Sequence, residues 1–206
     1  LKLDTVKRNL RISDSVLVNN TTGFLNSTLG QEALLNNTTG SRNIALGYQA
    51  LATNVTKSGS IAIGYYAMSN ADNSNSGAST GNIAIGESSL KGSLTPSNNT
   101  GSNNTAVGGN SIMNNTSGSN NVAIGSNSFS ANTSGSNNTA NGYNSGSALT
   151  TGNNNTMIGN NSGSGVFNGS NNTMIGNHVD QFREVISKLQ NDSDTRQAVS
   201  CLWNPH

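Results

Sequence analysis

One five-residue phrase recurs along this chain in fixed phase. It reads Asn43-Ile44-Ala45-Leu46-Gly47, then Ser60-Ile61-Ala62-Ile63-Gly64 and Asn82-Ile83-Ala84-Ile85-Gly86. It returns as Asn104-Thr105-Ala106-Val107-Gly108 and Asn121-Val122-Ala123-Ile124-Gly125, with degenerate copies closing at Gly30, Gly142, Gly159 and Gly176. Successive closing glycines lie 17, 17, 22, 22, 17, 17, 17 and 17 residues apart. Self-similarity at such a period identifies a solenoid, in which each repeat buries its apolar side only against its neighbours. Two consecutive coils are each enlarged by five residues (22 against 17).

The register rules out the reading that composition alone would favour. The chain of 206 residues is 32% hydrophobic and 4% aromatic, too lean in apolar residues for a conventional layered core. Asn, Gly, Ser and Thr tracts of this kind suit disorder. A disordered tract, however, has no reason to hold Ile, Ala, Ile and Gly at one phase through nine copies.

Alternation along a strand places Ile44 and Leu46 on one face and Ala45 on the other. The larger residues are expected to fill the roll: Ile44, Leu46, Ile61, Ile63, Ile83, Ile85, Val107, Val122, Ile124, Ile158 and Ile175. The column Ala45, Ala62, Ala84, Ala106, Ala123 and Ala140, continued by Met157 and Met174, would then face outward. Small apolar residues in that position make sense where another subunit packs closely. A second column follows four residues after each glycine: Leu34, Leu51, Met68, Leu90, Ile112 and Phe129, then Gly146 and Gly163, where Leu149, Val166 and Phe167 are expected to fill the gap. Asn-Thr-Thr-Gly-Ser and its variants close each coil with residues that favour turns. At the spacing of parallel strands, nine coils would form a rod roughly 40 Å long.

The enlargements fall in 65–81 and 87–103. Insertions in a repeat map to loops on one face, often the binding face. Asp72, Asn73, Asn75, Lys91, Thr95 and Pro96 are therefore the candidate receptor-loop residues.

Charge narrows the function. Residues 92–177 contain no Lys, Arg, Asp, Glu or His, and the net charge is +1. Nucleic-acid binding requires a basic face, and general acid–base catalysis requires positioned titratable groups. The repeats offer neither, so no catalytic residue, metal ligand or cofactor is expected. Calcium-binding coils would need a repeating Asp, and Asp72 is the only one in the repeats. No run approaches the ~18 apolar residues of a membrane span, so no membrane insertion is expected.

The Asn-x-Ala-Ile-Gly phrase resembles the head repeats of YadA-type trimeric autotransporter adhesins. The 17-residue spacing with Gly47-Tyr48-Gln49-Ala50-Leu51, and Asn-Thr-Thr-Gly-Ser before the next coil, is similar to the form found in phage and viral fibre proteins. The resemblance implies an all-β fold, a left-handed parallel β-roll of 17-residue coils, with three chains about one axis. It implies that Ala45, Ala62, Ala84, Ala106 and Ala123 line the trimer interface. It further implies a non-enzymatic structural or attachment protein on a virion or cell surface, whose partners are a host receptor or glycan and other structural proteins. Asn141, Met157 and Met174 depart from the pattern. A flat face of Thr105, Thr139, Thr156 and Thr173 offers an alternative, ice or polysaccharide binding.

The flanks differ in character. Residues 1–22 read as short strands, a stalk or a cap ahead of the solenoid at 23–177. In 178–206 charges return, and Val179, Phe182, Val185, Ile186 and Leu189 recur at helical spacing before a strand from Ala198 to Trp203. This helix–strand segment resembles part of thymidylate synthase in Val179-Asp180-Gln181-Phe182-Arg183-Glu184-Val185-Ile186, Asp194-Thr195-Arg196-Gln197-Ala198-Val199 and Leu202-Trp203-Asn204-Pro205. The resemblance implies a phosphate contact for Arg196. The remainder of that enzyme is missing, and Cys201 precedes the Trp-Asn-Pro motif instead of following it, so the segment is expected to be a cap without activity.

Overall fold

In the computed structural model every copy of the phrase forms a three-residue strand, and consecutive copies lie side by side in one sheet. The structure describes residues 2–4, 7–13, 15–70, 79–166 and 168–179. The helix–strand reading of the C-terminal segment, Arg196 included, lies outside them. So do Phe167 and the loop candidates Asp72, Asn73 and Asn75.

The strands are β1 (Lys2–Asp4), β2 (Asn9–Ile12), β3 (Ser27–Leu29), β4 (Ile44–Leu46), β5 (Ile61–Ile63), β6 (Ile83–Ile85), β7 (Thr105–Val107), β8 (Val122–Ile124), β9 (Thr139–Asn141), β10 (Thr156–Ile158) and β11 (Thr173–Ile175). From β2 to β11 every pairing is parallel and in phase with the repeat, as in Ala45↔Ala62↔Ala84↔Ala106↔Ala123. The protein is therefore an all-β solenoid of about nine turns. The one helical turn among the described residues is a short 3₁₀ segment, Pro96–Asn98.

The solenoid begins one coil earlier than the glycine spacing suggests. Asn9-Leu10-Arg11-Ile12-Ser13 is a disguised copy of the phrase, in register with Ser27-Thr28-Leu29. Ser13 stands at the glycine position with φ 143°, and Leu17 takes the place of Leu34. The Arg11 guanidinium, where β4 to β9 have Ala, donates to the Val16 carbonyl (2.6 Å). Antiparallel β1 covers the edge of β2, which protects the sheet from adding another strand there.

The two faces of the sheet are the reverse of the expectation. Ala45, Ala62, Ala84, Ala106, Ala123 and Ala140 are completely buried inside their coils. They cannot form a subunit interface as assigned. The assigned core residues Ile44, Leu46, Ile61, Ile63, Ile83, Ile85, Val107, Val122, Ile124, Ile158 and Ile175 point outward and are half-buried or exposed. The reason is space. The wall opposite the strands carries Leu34, Leu51, Met68, Leu90, Ile112 and Phe129, all buried as expected. A coil this narrow accepts a large side chain from one wall only, and Ala completes the layer.

Coils are joined by backbone hydrogen bonds around much of their circumference: Ile44 N–H to the Ser60 carbonyl (2.9 Å), Gly47 to Leu29 (2.7 Å), Leu51 to Ala67 (3.1 Å) and Thr38 to Val55 (2.8 Å). A ladder of buried asparagines runs alongside. Asn121 Nδ2 donates to the Gly135 carbonyl (2.8 Å), and Asn121 Oδ1 accepts from the Asn138 backbone N–H (3.0 Å). The same exchange recurs at Asn9, Asn26, Asn43, Asn104, Asn138 and Asn155. The Asn that opens the phrase is thus a structural residue that satisfies polar backbone groups in a core with little apolar surface.

Candidate functional site

Among the described residues the candidate features lie on the surface. The cavity of about 30 Å³ within the enlarged coils, beside Leu51, Met68, Leu90, Ser60, Thr80 and Asn82, has room for little more than water. Among the described residues no three His, Cys, Asp or Glu side chains gather to hold a metal ion, and no helix is long and apolar enough to cross a membrane.

Two surface features stand out. The first is the outward face of the sheet. Alternation that buries Ala45 sends Ile44 and Leu46 out, and the register repeats that pair strand after strand. The result is a two-residue-wide apolar stripe running from Leu10 and Ile12 to Ile175, interrupted by Ser27 and Thr105 and, toward the C-terminal end, by Thr139, Asn141, Thr156 and Thr173. Leu29, Ile85, Ile124 and Ile175 are 46%, 38%, 43% and 66% exposed. Contiguous exposed apolar surface is uncommon on a monomer.

The second is the flank of the enlarged coils. Asn99 anchors the loop 93–99 by donating through Nδ2 to the Ser93 carbonyl (3.0 Å) and to the Asn70 carbonyl (2.5 Å), while its Oδ1 accepts from the Ser93 N–H (2.9 Å). Of the described loop candidates, Thr95 is exposed and Lys91 and Pro96 are half-buried. Leu94, which the sequence reading did not single out, is 89% exposed at the tip.

Tyr48, Tyr65 and Tyr66 lie close by. Tyr48 and Tyr65 each follow a closing glycine at the same phase, so the helical rise of the solenoid stacks them: ring centroids 5.3 Å apart, planes 19° from parallel. Tyr66 meets both edge-on, at 5.4 and 4.4 Å. Lys91 brings its ammonium to 5.0 Å from the Tyr66 ring, which places it on the aromatic cluster instead of free at the loop. Gln49 Nε2 donates to Glu32 Oε2 (2.6 Å) and to the Tyr48 hydroxyl (3.3 Å). Burial first, then the Glu32 charge and Tyr66, hold the Tyr48 phenol above its ordinary pKa. For Tyr65 the first cause is its hydrogen bond with Tyr66, with lesser contributions from burial, both neighbouring phenols and Glu87. The signal in the sequence was the pair Gly47-Tyr48 and Gly64-Tyr65, one repeat apart.

No family model matches the chain, and neither a curated protein nor a solved structure matches it.

Proposed function

We propose that this chain is a non-enzymatic structural and attachment protein: a homotrimeric rod, of the kind the YadA-like and phage-fibre repeats imply, in a virion fibre or at a cell surface. Three copies pack through the outward Ile/Val stripe, and the enlarged coils present loops to a host receptor or glycan. The observation that carries this reading is the stripe itself. An uninterrupted run of outward pairs from Ile44/Leu46 to Ile83/Ile85 is costly to leave in water, at about 25 cal/mol per Å² of apolar surface. Packing three stripes about an axis removes it. The role is mechanical: continuous backbone ladders give stiffness, and three copies of each loop give avidity.

Light scattering tests the reading on wild type, Ile85→Glu and Ala84→Glu. Wild type is expected at three times the chain mass of 21.1 kDa, roughly 63 kDa. Ile85→Glu is expected to give a folded chain of single mass, because its side chain points out. Ala84→Glu is expected to unfold the coil, because its side chain points in. A wild-type monomer, or an intact trimer in Ile85→Glu and Ile124→Glu, rejects the assignment.

A further inference from the structure

We infer that the Tyr48–Tyr65–Tyr66 cluster is a binding site for a neutral glycan, a specific contact within the attachment role proposed above and resting on it. The cluster has the two components that a sugar requires. One is exposed aromatic surface: Tyr65 is 50% exposed and packs between the near-parallel Tyr48 ring and the edge-on Tyr66 ring. An aromatic face of this kind supplies contact area to the C–H side of a pyranose at low entropic cost. The other is a rim of polar groups beside it. The Glu32 carboxylate, the Gln49 amide, the Tyr48 hydroxyl and the Lys91 ammonium accept from or donate to hydroxyls and fix the orientation of the ring.

Charge selects the class of glycan. Glu32 stands near Tyr48 and Glu87 near Tyr65, each close enough to raise the neighbouring phenol's pKa. The cation that the structure places on the cluster, Lys91, is already held over Tyr66. An acidic, sialylated chain would meet net repulsion there, and a neutral one would not. The repeat also contains its own control. Tyr143 occupies the same phase after Gly142 and is 52% exposed, but among the described residues no ring packs against it. A side chain needed only to build the corner would not require companions.

The test uses the full chain on an array of neutral, amino-sugar and sialylated oligosaccharides, followed by calorimetry with the strongest neutral oligosaccharide. Variants are Tyr65→Ala, Glu32→Gln, Tyr143→Ala and Ile85→Glu. The proposal expects neutral glycans to bind in preference to sialylated ones. Tyr65→Ala should weaken binding about tenfold or more, and Tyr143→Ala should leave it unchanged. Glu32→Gln should weaken it while the chain keeps its circular dichroism. Binding to no neutral glycan, preference for sialylated chains, or unchanged affinity in Tyr65→Ala overturns the site. The trimer is read separately: Ile85→Glu should retain the site at single-copy affinity, so loss of the trimer and loss of the sugar site give different results.

Discussion

The sulfur of Met157 occupies the space that a side chain at Gly163 would need: a Cβ built there would lie 2.5 Å from Sδ. A Cβ at Gly146 would likewise meet Met157 Sδ at 2.8 Å and the Phe129 ring at 2.3 Å. From β4 to β8 the strand centre is Ala and the opposite wall is Leu, Met, Ile or Phe. Around Met157 the large residue has changed walls, and glycine makes room for it. Met157→Ala alone opens a cavity and is expected to cost about 2–5 kcal/mol. Gly163→Leu alone overpacks and is expected to cost about 1–3 kcal/mol. The double variant rebuilds the Ala106/Ile112 arrangement, in which the position of Gly163 already accepts a side chain at φ 48°. A coupling of about 0.5–3 kcal/mol in its favour is expected from a denaturation cycle. Strict additivity would reject the pairing.

That exchange also explains what the sequence disclosed and what it concealed. Period, strand position and the Leu51-type column were legible because they rest on spacing. The sidedness of Ile44 and Ala45 was not, because alternation separates two faces without stating which is inside. The preference for large residues inside yielded to the width of the coil. The deciding signal was present in Met157 with Gly146 and Gly163, a compensation that makes sense only if these residues share one interior. The first coil was hidden because Arg11 and Ser13 replace Ala and Gly. The tyrosine cluster was only partly visible: Tyr48 and Tyr65 share a repeat phase and Tyr66 follows directly, but Lys91 joins them through folding, from a position that no repeat phase connects.

Gly125 should tolerate no side chain. Its φ is 127°, and an added Cβ would lie 2.5 Å from the carbonyl oxygen of Gly142 in the next coil. The strain and the close approach act together, and the backbone on either side is held by coil-to-coil hydrogen bonds. Gly125→Ala is expected to destabilise by more than the ~1 kcal/mol of an ordinary unfavourable Gly replacement. Asn127→Gly, two residues away at φ 58°, should be close to neutral. Urea midpoints of the two variants measure the contrast; equal midpoints would sink it.

Asn138 tests the polar ladder. Its Nδ2 donates to the Gly152 carbonyl (2.8 Å), and its Oδ1 accepts from the backbone N–H of Asn155 (2.9 Å). Asn138→Ala leaves both backbone groups buried without these partners, at about 1–3 kcal/mol for each unsatisfied group. Asn137, adjacent in sequence but exposed, should lose under about 1 kcal/mol when replaced by Gly, since its φ of 59° suits glycine. Hydrogen exchange should show faster exchange at the Asn155 amide in Asn138→Ala and no change there in Asn137→Gly.

The tyrosine cluster predicts an alkaline transition with a defined sign. The Tyr48 and Tyr65 phenols are held above the ordinary value of 10.0 in the folded chain. Folding therefore favours their neutral form. That contribution is fully present below the unfolded phenol pKa and is lost as pH rises through the raised folded values. Absorbance at the phenolate band, taken as the difference between wild type and Tyr48→Phe, should show Tyr48 ionising above 10.0. Glu32→Gln removes the second-largest cause and leaves burial, the largest. Its Tyr48 midpoint should fall but stay above the ordinary value. An unchanged or higher midpoint in Glu32→Gln would show that the carboxylate does not face Tyr48 in solution, and would remove it from the proposed sugar site as well.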